Sequence, residues 1–379
     1  MFDVRPVGYV IGLLVAALGA TMFAPLLADV VAGNGHWTVF FESAVITILV
    51  GGLVALACQN GVSSGLTIRQ TFLLTTLVWL ALPLFGSLPF MLGGSELNFT
   101  DAFFEAMSGL TTTGSTVIVG IEGLPEGLKL WRAIMQWLGG IGIIVVAMVF
   151  LPELRVGGMQ IFRSESFDTM GKILPRAAEI SSRISVIYVS ITLACAICYS
   201  IAGLNSFDAI THAMTTVATG GFANYDNSFG EFGAGPNYVA SVFMILSALP
   251  FVRYVQLISG NGAKPLIYDS QIRTFFVVVF VLVGVMTLWL WQTFHGFGEI
   301  GFREALFNVT SIITGTGYAS ADYMQWGPFA VTMFFFIGLI GGCAGSTACS
   351  VKIFRYQLLF TSIKAQVRRI HSPHGIFTP

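Results

Sequence analysis

A short phrase recurs three times in this chain: an acidic residue, Ala and an apolar residue, with a glycine thirteen positions after the acid. The acids are Asp101, Asp208 and Glu304, and the corresponding glycines are Gly114, Gly221 and Gly317. Glycine adopts backbone angles that are closed to other residues, so consecutive carbonyl oxygens can point to one side. Carbonyl oxygens arranged in this way replace the hydration shell of an ion in a selectivity filter. The phrase therefore predicts a cation filter.

The predicted ion ligands come from the residues that end each phrase. They are Thr111, Thr112, Thr113 and Gly114; Ala218, Thr219, Gly220 and Gly221; and Gly315, Thr316 and Gly317. A single Thr-Gly or Gly-Gly pair in a membrane protein is more often a packing contact between helices. Three such pairs at the same position of three repeats favour a filter. Oxygen ligands without a carboxylate suit a monovalent cation that must leave again. Potassium fits best, although the sequence alone does not separate potassium from sodium.

The composition places these phrases in a membrane. The 379 residues are 55% apolar and only 10% charged, and their mean hydropathy is +0.81, which predicts an all-α integral membrane protein. A spanning helix needs about 20 mostly apolar residues. Eight segments qualify, the last of them long and broken: 7–32, 37–59, 70–92, 129–151, 184–204, 236–258, 272–295 and 327–362.

A short segment precedes each glycine and is too short to span a bilayer. These segments are 100–111, 207–218 and 302–314, and we expect each to enter the membrane and return. Irregular backbone at membrane depth is tolerated where it lines a wet cavity. Because the C-terminal end of a helix carries about half a negative elementary charge, the cavity should favour cations.

Basic residues accumulate in cytoplasmic loops, and their distribution predicts the orientation of the chain. Fifteen of the eighteen Lys and Arg residues fall on one side of the predicted spans. The exceptions are Lys129, Arg132 and Arg303, which share the opposite side with the three phrases. The filter is therefore predicted to face the outside of the cell.

Several further motifs resemble those of the Trk/Ktr/HKT superfamily of potassium transporters, most closely the bacterial Trk-type uptake subunit with two extra N-terminal helices. They are Trp131-Arg132, Gln136-Trp137-Leu138-Gly139-Gly140-Ile141-Gly142, Leu151-Pro152-Glu153-Leu154, Gly157-Gly158-Met159-Gln160 and Gly341-Gly342-Cys343-Ala344-Gly345-Ser346-Thr347. The resemblance implies four units, each a helix, a pore helix and a second helix (M1-P-M2), around one ion path. It also implies a homodimer and a cytosolic nucleotide-binding regulatory subunit.

A gate below the filter is likewise implied by the resemblance. The matching residues are Gly341, Gly342, Cys343, Ala344, Gly345, Ser346 and Thr347, with Lys352 just beyond. Glycines weaken a helix by about 1 kcal/mol each relative to Ala, so this segment should unwind readily. The chain departs from the family pattern at Ala348-Cys349-Ser350 and at Gly315, where a Thr is usual.

The phrases divide the chain into four regions. Residues 1–69 hold two N-terminal helices, and 70–175, 176–265 and 266–379 hold three pore units, so that three of four are present. We expect the sequence to be a fragment of a longer protein that does not conduct alone. The alternative is a complete chain that recruits its fourth wall from elsewhere.

These observations predict a potassium uptake protein of the bacterial inner membrane and not an enzyme. The alternative is a secondary carrier for another cation or solute, although such carriers more often show inverted repeats. Channel conduction and coupling to sodium or protons, as in symport, both stay open. The chain carries no nucleotide motif, and no cofactor or nucleic acid is expected. Membrane lipid and the potassium ion are its expected small partners, and the filter is its expected metal site.

Overall fold

The computed structural model describes residues 3–61, 66–95, 97–145, 177–294 and 298–371. Within these ranges the regular structure is helical, apart from an isolated bridge between Ile340 and Val351, and the predicted all-α class is confirmed. The helices are α1 (Arg5–Thr21), α2 (Phe23–Ala32), α3 (Trp37–Cys58), α4 (Ile68–Gly86), α5 (Leu88–Leu92), α6 (Phe99–Leu110), α7 (Glu126–Val145), α8 (Ala177–Ile201), α9 (Ser206–Val217), α10 (Ala234–Ser247), α11 (Phe251–Gln256), α12 (Lys264–Ile267), α13 (Ser270–Phe294), α14 (Glu299–Thr314), α15 (Pro328–Ile337) and α16 (Ile353–His371).

Five continuous helical stretches are long and apolar enough to cross a membrane. They are Arg5–Ala32, Trp37–Cys58, Arg69–Leu92, Ser181–Ile201 and Ser270–Thr293, and they correspond to five of the eight predicted spans. The predicted span 129–151 contains most of α7, and its end lies outside the described residues. The chain is therefore a multi-pass membrane protein.

The two N-terminal spans pack closely and are tied to the first unit. A methyl group on Gly12 would lie 2.6 Å from the carbonyl oxygen of Gly51, so glycines let the backbones of α1 and α3 approach, as is common between membrane helices. Asp29, buried in α2, accepts the backbone N–H of Gly127 at the start of α7 (2.7 Å). This bond joins the N-terminal spans to the first unit.

The three short helices α6, α9 and α14 match the predicted segments to within three residues. The side-chain oxygen of Asn98 accepts the N–H of Asp101 (3.0 Å), and that of Asn205 accepts the N–H of Asp208 (2.8 Å). Both asparagines are N-caps, and each also donates its side-chain amide to the carboxylate of that acid (2.7 Å and 2.8 Å), so the acid completes the cap. The third helix begins earlier, at Glu299, so Glu304 lies inside it.

The span predicted at 236–258 is broken. Helix α10 ends at Ser247, α11 begins at Phe251, and the two meet at 85°. The cause is Pro250, which has no N–H to donate and disfavours helical backbone in the residue before it. The last predicted span is broken as expected, and residues 338–352 form an irregular segment between α15 and α16, called here the gate loop.

Candidate functional site

The three glycine loops share one backbone conformation. The filter glycines have nearly equal φ angles, 81° at Gly114, 84° at Gly221 and 84° at Gly317. Two positions earlier φ is also positive: 54° at Thr112, 50° at Thr219 and 74° at Gly315. A β-branched residue is strained at positive φ and keeps it only when its surroundings enforce it. The loops at 111–115, 218–222 and 315–318 are called here loops 1, 2 and 3.

The loops lie side by side in chain order. A methyl group on Gly114 would overlap the carbonyl of Gly220, and one on Gly221 would overlap the carbonyl of Thr316. Among the described residues, nothing lies within 4 Å of the position of a methyl group on Gly317. Thr113 and Gly317 are exposed, whereas Gly220 is buried. Within the part of the chain that the structure describes, loop 2 is thus enclosed between its neighbours, and loops 1 and 3 each have one exposed edge.

Hydroxyl groups brace the loops from within. The hydroxyl of Thr112 donates to the carbonyl of Thr111, and that of Thr219 donates to Ala218, both at 2.7 Å. In loop 3 the hydroxyls of Thr314 and Thr316 are 2.8 Å apart. The threonines therefore stabilise the turns, and their oxygens keep lone pairs for further contacts.

A buried ion pair joins the residues that directly follow loop 1 to the residue that follows loop 2. Glu105 of α6 accepts from Arg132 Nε (2.8 Å), from the hydroxyl of Thr116 (2.9 Å) and from the N–H of Val117 (3.2 Å). Arg132 in turn donates to the carbonyl of Ala223 (2.8 Å). Both charged side chains are almost fully buried, so their hydrogen bonds compensate the loss of hydration.

One turn further along α7, Gln136 contacts the same loop. Its Nε2 donates to the carbonyl of Gly220 (2.6 Å), and its Oε1 accepts from the N–H of Phe222 (3.0 Å). The Arg132 guanidinium lies 4.1 Å from the centroid of the Phe222 ring. Arg132 and Gln136 are four residues apart and share one helix face, so this face of α7 supports loop 2 from behind.

Loop 3 is supported by the second unit. The hydroxyl of Tyr318 forms hydrogen bonds with the hydroxyls of Thr215 and Thr216 in α9, and Thr216 also bonds the hydroxyl of Tyr199 (2.8 Å). Tyr318 is buried and packs on Phe229, with ring centroids 4.4 Å apart. The residue after each of the second and third filter glycines is thus an aromatic side chain held by the preceding unit.

The acids near the filter are hydrogen-bond acceptors of the scaffold. Asp208 accepts from the Asn224 amide (2.7 Å) and the Tyr225 hydroxyl (2.8 Å). Burial, followed by this bond to Asp208, raises the pKa of Tyr225 to about 12, so the phenol stays protonated and donates at neutral pH. Asp226 accepts the N–H groups of Gly120 (2.7 Å) and Ile121 (3.0 Å), which binds the outer loops of the first two units together.

The gate loop forms hydrogen bonds with the residues at the break between α10 and α11. In a continuous helix the N–H of Phe251 would bond the carbonyl of Ser247. Instead, Phe251 donates to the carbonyl of Gly345 (2.9 Å), and Ser247 accepts from both the N–H (3.3 Å) and the hydroxyl (3.0 Å) of Thr347. The gate loop therefore satisfies the backbone groups that the break leaves free.

Two further bonds hold the gate loop in place. Cys343 donates its N–H to the carbonyl of Ala248 (2.9 Å), and Ala344 donates to the side chain of Gln271 (3.2 Å). Within the loop, Lys352 donates to the carbonyl of Ala348. Residues 341–344 and 346–348 are buried, so this segment is compact.

The gate loop reaches the underside of loop 3. The N–H of Cys349 donates to the carbonyl of Thr314 (3.3 Å), and its sulfur lies 3.9 Å from the carbonyl oxygen of Gly315. A side chain at position 315 would overlap this sulfur. The two departures from the family pattern therefore fit each other, because Cys349 fills the space that a Thr at 315 would need.

Comparison with known proteins places this arrangement in a family. The TrkH family, described as a cation transport protein, matches residues 36–378. The chain belongs to this family. The Trk system potassium uptake protein TrkI of Halomonas elongata is 40% identical over 98% of this chain and 75% of its own length. The corresponding TrkH of Escherichia coli is 36% identical over 99% of this chain and 78% of its own.

A solved structure of the family has the same fold. The crystal structure of the potassium transporter TrkH from Vibrio parahaemolyticus superposes with a TM-score of 0.89, at 33% identity, over 100% of this chain and 79% of that one. The resemblance inferred from the motifs is confirmed.

The structure brings together loops 1, 2 and 3 and places the gate loop against loop 3; the roles of these residues in ion binding and gating stay predictions. The motif Leu151-Pro152-Glu153-Leu154 lies outside the described residues. Sequence reasoning missed Gln136 as a contact of loop 2. Its signal is the i, i+4 spacing with Arg132 on a helix that follows the first filter phrase.

Proposed function

We propose that this chain is the translocating subunit of a potassium uptake system. The observation that carries the proposal is the shared conformation of loops 1, 2 and 3, in which each filter glycine has positive φ and adjoining loops touch. Backbone oxygens held in such a ring match the ligands of an unhydrated alkali cation. The related proteins of Halomonas and Escherichia coli are named as Trk potassium uptake proteins.

The ion ligands in this proposal are the filter residues. They are Thr111, Thr112, Thr113, Gly114, Ala218, Thr219, Gly220, Gly221, Gly315, Thr316 and Gly317. Potassium enters from outside, loses its water at these residues, and passes down its electrochemical gradient. The gate loop lies next on the path, with Gly341 to Thr347 and Lys352 closing it. Displacement of the loop from the break at Pro250 opens the path.

The unit boundaries belong to the same proposal: two N-terminal helices in 1–69 and pore units in 70–175, 176–265 and 266–379. A fourth loop of the same kind closes the edge between Gly317 and Thr113. Support comes from the exposure of these two residues at the free edges.

We place the protein in the bacterial inner membrane with the filter outward, in agreement with the basic residues on the opposite side. The assembled system is a homodimer with a cytosolic nucleotide-binding subunit that controls the gate loop. The translocating chain itself carries out no covalent chemistry. A secondary carrier for another solute is the competing function, and the parallel, outward-opening loops favour the filter.

The test is ion uptake by a bacterium that lacks its own potassium transporters and expresses the natural gene. We expect growth at low potassium and uptake of rubidium that excess potassium inhibits and excess sodium does not. Uptake of an organic solute without rubidium uptake would contradict the proposal.

A further inference from the structure

Loop 2 differs from its neighbours at the residue before the filter glycine. This residue is Gly220, whereas loop 1 has Thr113 and loop 3 has Thr316. A methyl group on Gly220 would overlap the side-chain amide of Gln136. The absence of a side chain at position 220 therefore makes room for Gln136, which comes from the inner helix of another unit.

The Gln136 amide holds the backbone on both sides of Gly221. It donates to the carbonyl before that glycine (2.6 Å) and accepts the N–H of Phe222 after it (3.0 Å). Gln136 is fully buried, so water does not compete for these two bonds. Both halves of one neutral amide are used, and a change of the Gly220 or Phe222 peptide orientation would break one of them.

The two Gln136 hydrogen bonds act on the peptide of the three loops that has the weakest steric limits on rotation. The peptide between Gly220 and Gly221 has glycine on both sides, and glycine imposes the weakest limits on backbone rotation. In loops 1 and 3 a Thr stands at the first of these positions. The number and direction of carbonyl dipoles around an ion decide which alkali cation a filter prefers. An unsupported Gly220 peptide would therefore change the ion preference.

A second buried side chain on the same face of α7 supports the neighbouring backbone. Arg132 lies one turn away on α7, donates to Ala223, and is held by Glu105. The carbonyls of Gly220 and Ala223 and the N–H of Phe222 are thus fixed from one helix face.

We propose that Gln136 is a positioning residue for ion selectivity, which fixes the orientation of the Gly220 peptide and so sets the preference of the filter for potassium over sodium. This inference rests on the proposed function. The competing reading is that Gln136 only fills space beside a glycine. The two readings predict different ion selectivity for a variant that keeps the volume of the Gln136 side chain and removes its hydrogen bonds.

The decisive variant is Gln136→Met, which keeps the length of the side chain and removes both hydrogen bonds. We expect the ratio of rubidium to sodium uptake, measured in the potassium-transport-deficient bacterium, to fall about tenfold, which corresponds to about 1.4 kcal/mol, because both hydrogen bonds that orient the Gly220 peptide are lost. The matched control is Trp137→Phe, which removes one hydrogen bond, to Thr192 (3.1 Å), from the next residue of the same helix. Its uptake ratio should equal that of the unmodified protein.

A double variant separates orientation from packing. Gly220→Ala combined with Gln136→Ala adds a methyl group to loop 2 in the space that the Gln136 amide occupied. Neither hydrogen bond of Gln136 is restored. We expect this protein to reach the membrane and to remain as unselective as Gln136→Met. Recovery of the potassium preference in the double variant, or an unchanged ratio in Gln136→Met, would overturn the inference.

A binding measurement gives an independent readout. A ligand that binds only the folded state stabilises it by mass action, so potassium should raise the unfolding temperature of the purified protein. The potassium concentration needed for a given rise should be higher in Gln136→Met, while the sodium concentration needed changes little. A parallel rise for both ions would also overturn the inference. If the unmodified protein takes up no rubidium, the proposed function fails instead, and the two failures are thereby distinguished.

Discussion

The filter loops and the gate loop are held in opposite ways. Side chains join each of loops 2 and 3 to the preceding unit: Gln136 and Arg132 of the first unit hold the backbone at loop 2, and Tyr318 of loop 3 bonds the hydroxyls of the second unit. These networks are buried and join helices far apart in the chain. The gate loop is held mainly by backbone hydrogen bonds to the break between α10 and α11. A buried side-chain network fixes one geometry, whereas backbone groups at a helix break have a second available arrangement.

That second arrangement is a continuous helix. If α10 and α11 straighten, Ser247 and Ala248 find partners within their own helix, and the gate loop loses its contacts. Pro250 limits how far the straightening can go. Under the proposed function, this difference suits a filter that stays fixed and a gate that is released.

The largest effect is expected at a filter glycine. Gly221→Ala places a methyl group against the Thr316 carbonyl at a φ of 84°, and both the overlap and the strain act on the ion site itself. Rubidium uptake should be abolished. The control is Gly284→Ala in α13, where a methyl group meets nothing within 4 Å; its uptake should be normal. Substantial uptake by the Gly221 variant would show that loop 2 is not part of the ion path.

The buried ion pair beside the filter is expected to dominate stability. Glu105→Gln leaves the Arg132 charge buried without its counter-charge, and such a loss costs about 3–5 kcal/mol. Thermal unfolding of the purified protein should shift down by many degrees. Glu299→Gln removes a charge from the partly exposed pair with Arg303 and should cost at most about 0.5 kcal/mol. Similar shifts of the unfolding temperature in the two variants would contradict a larger contribution of the buried pair to stability.

The contact between Cys349 and Gly315 joins the two regions, and a reciprocal exchange tests it. Gly315→Thr should reduce uptake, because the new side chain overlaps the Cys349 sulfur and displaces either loop 3 or the gate loop. Cys349→Gly in the same chain should restore most of the uptake, since it clears the space. Additive losses in the double variant would mean that the two positions act independently.

The smallest effect is expected at the gate. Thr347→Val removes the hydroxyl bond to Ser247 and leaves the backbone bond in place. Loss of about 0.5–1.5 kcal/mol from the closed state should raise basal uptake about two- to tenfold. Thr332→Val, an exposed change on α15, is the control. A fall in uptake with normal selectivity would contradict the role of the gate loop as a closed barrier.

Much of this architecture is predictable from the sequence, because it is encoded locally. The apolar stretches predict the continuous spans, and the repeated phrase places α6 and α9 to within one residue of their observed bounds. The positive φ angles at the three filter glycines follow from residue type. Pro250 also marks the helix break, although the apolar stretch around it suggests one continuous span.

The contacts that support the site are not encoded locally. Gln136 and Gly220 are 84 residues apart, and Cys349 and Gly315 are 34 apart. Gly220, Gly315 and Cys349 each depart from the expected pattern of their segment, but only the folded chain shows that each glycine makes room for a side chain from elsewhere. Such compensating pairs depend on the packing of one unit against the next.

The central claim is that loops 1, 2 and 3 hold an unhydrated alkali cation between them. Crystals of the full assembly grown in rubidium test it most directly, because the anomalous scattering of rubidium locates the ion without reference to any expected site. The claim predicts a peak bounded by the loops of Gly114, Gly221 and Gly317, above the gate loop. A peak elsewhere, with these loops unoccupied, would contradict it.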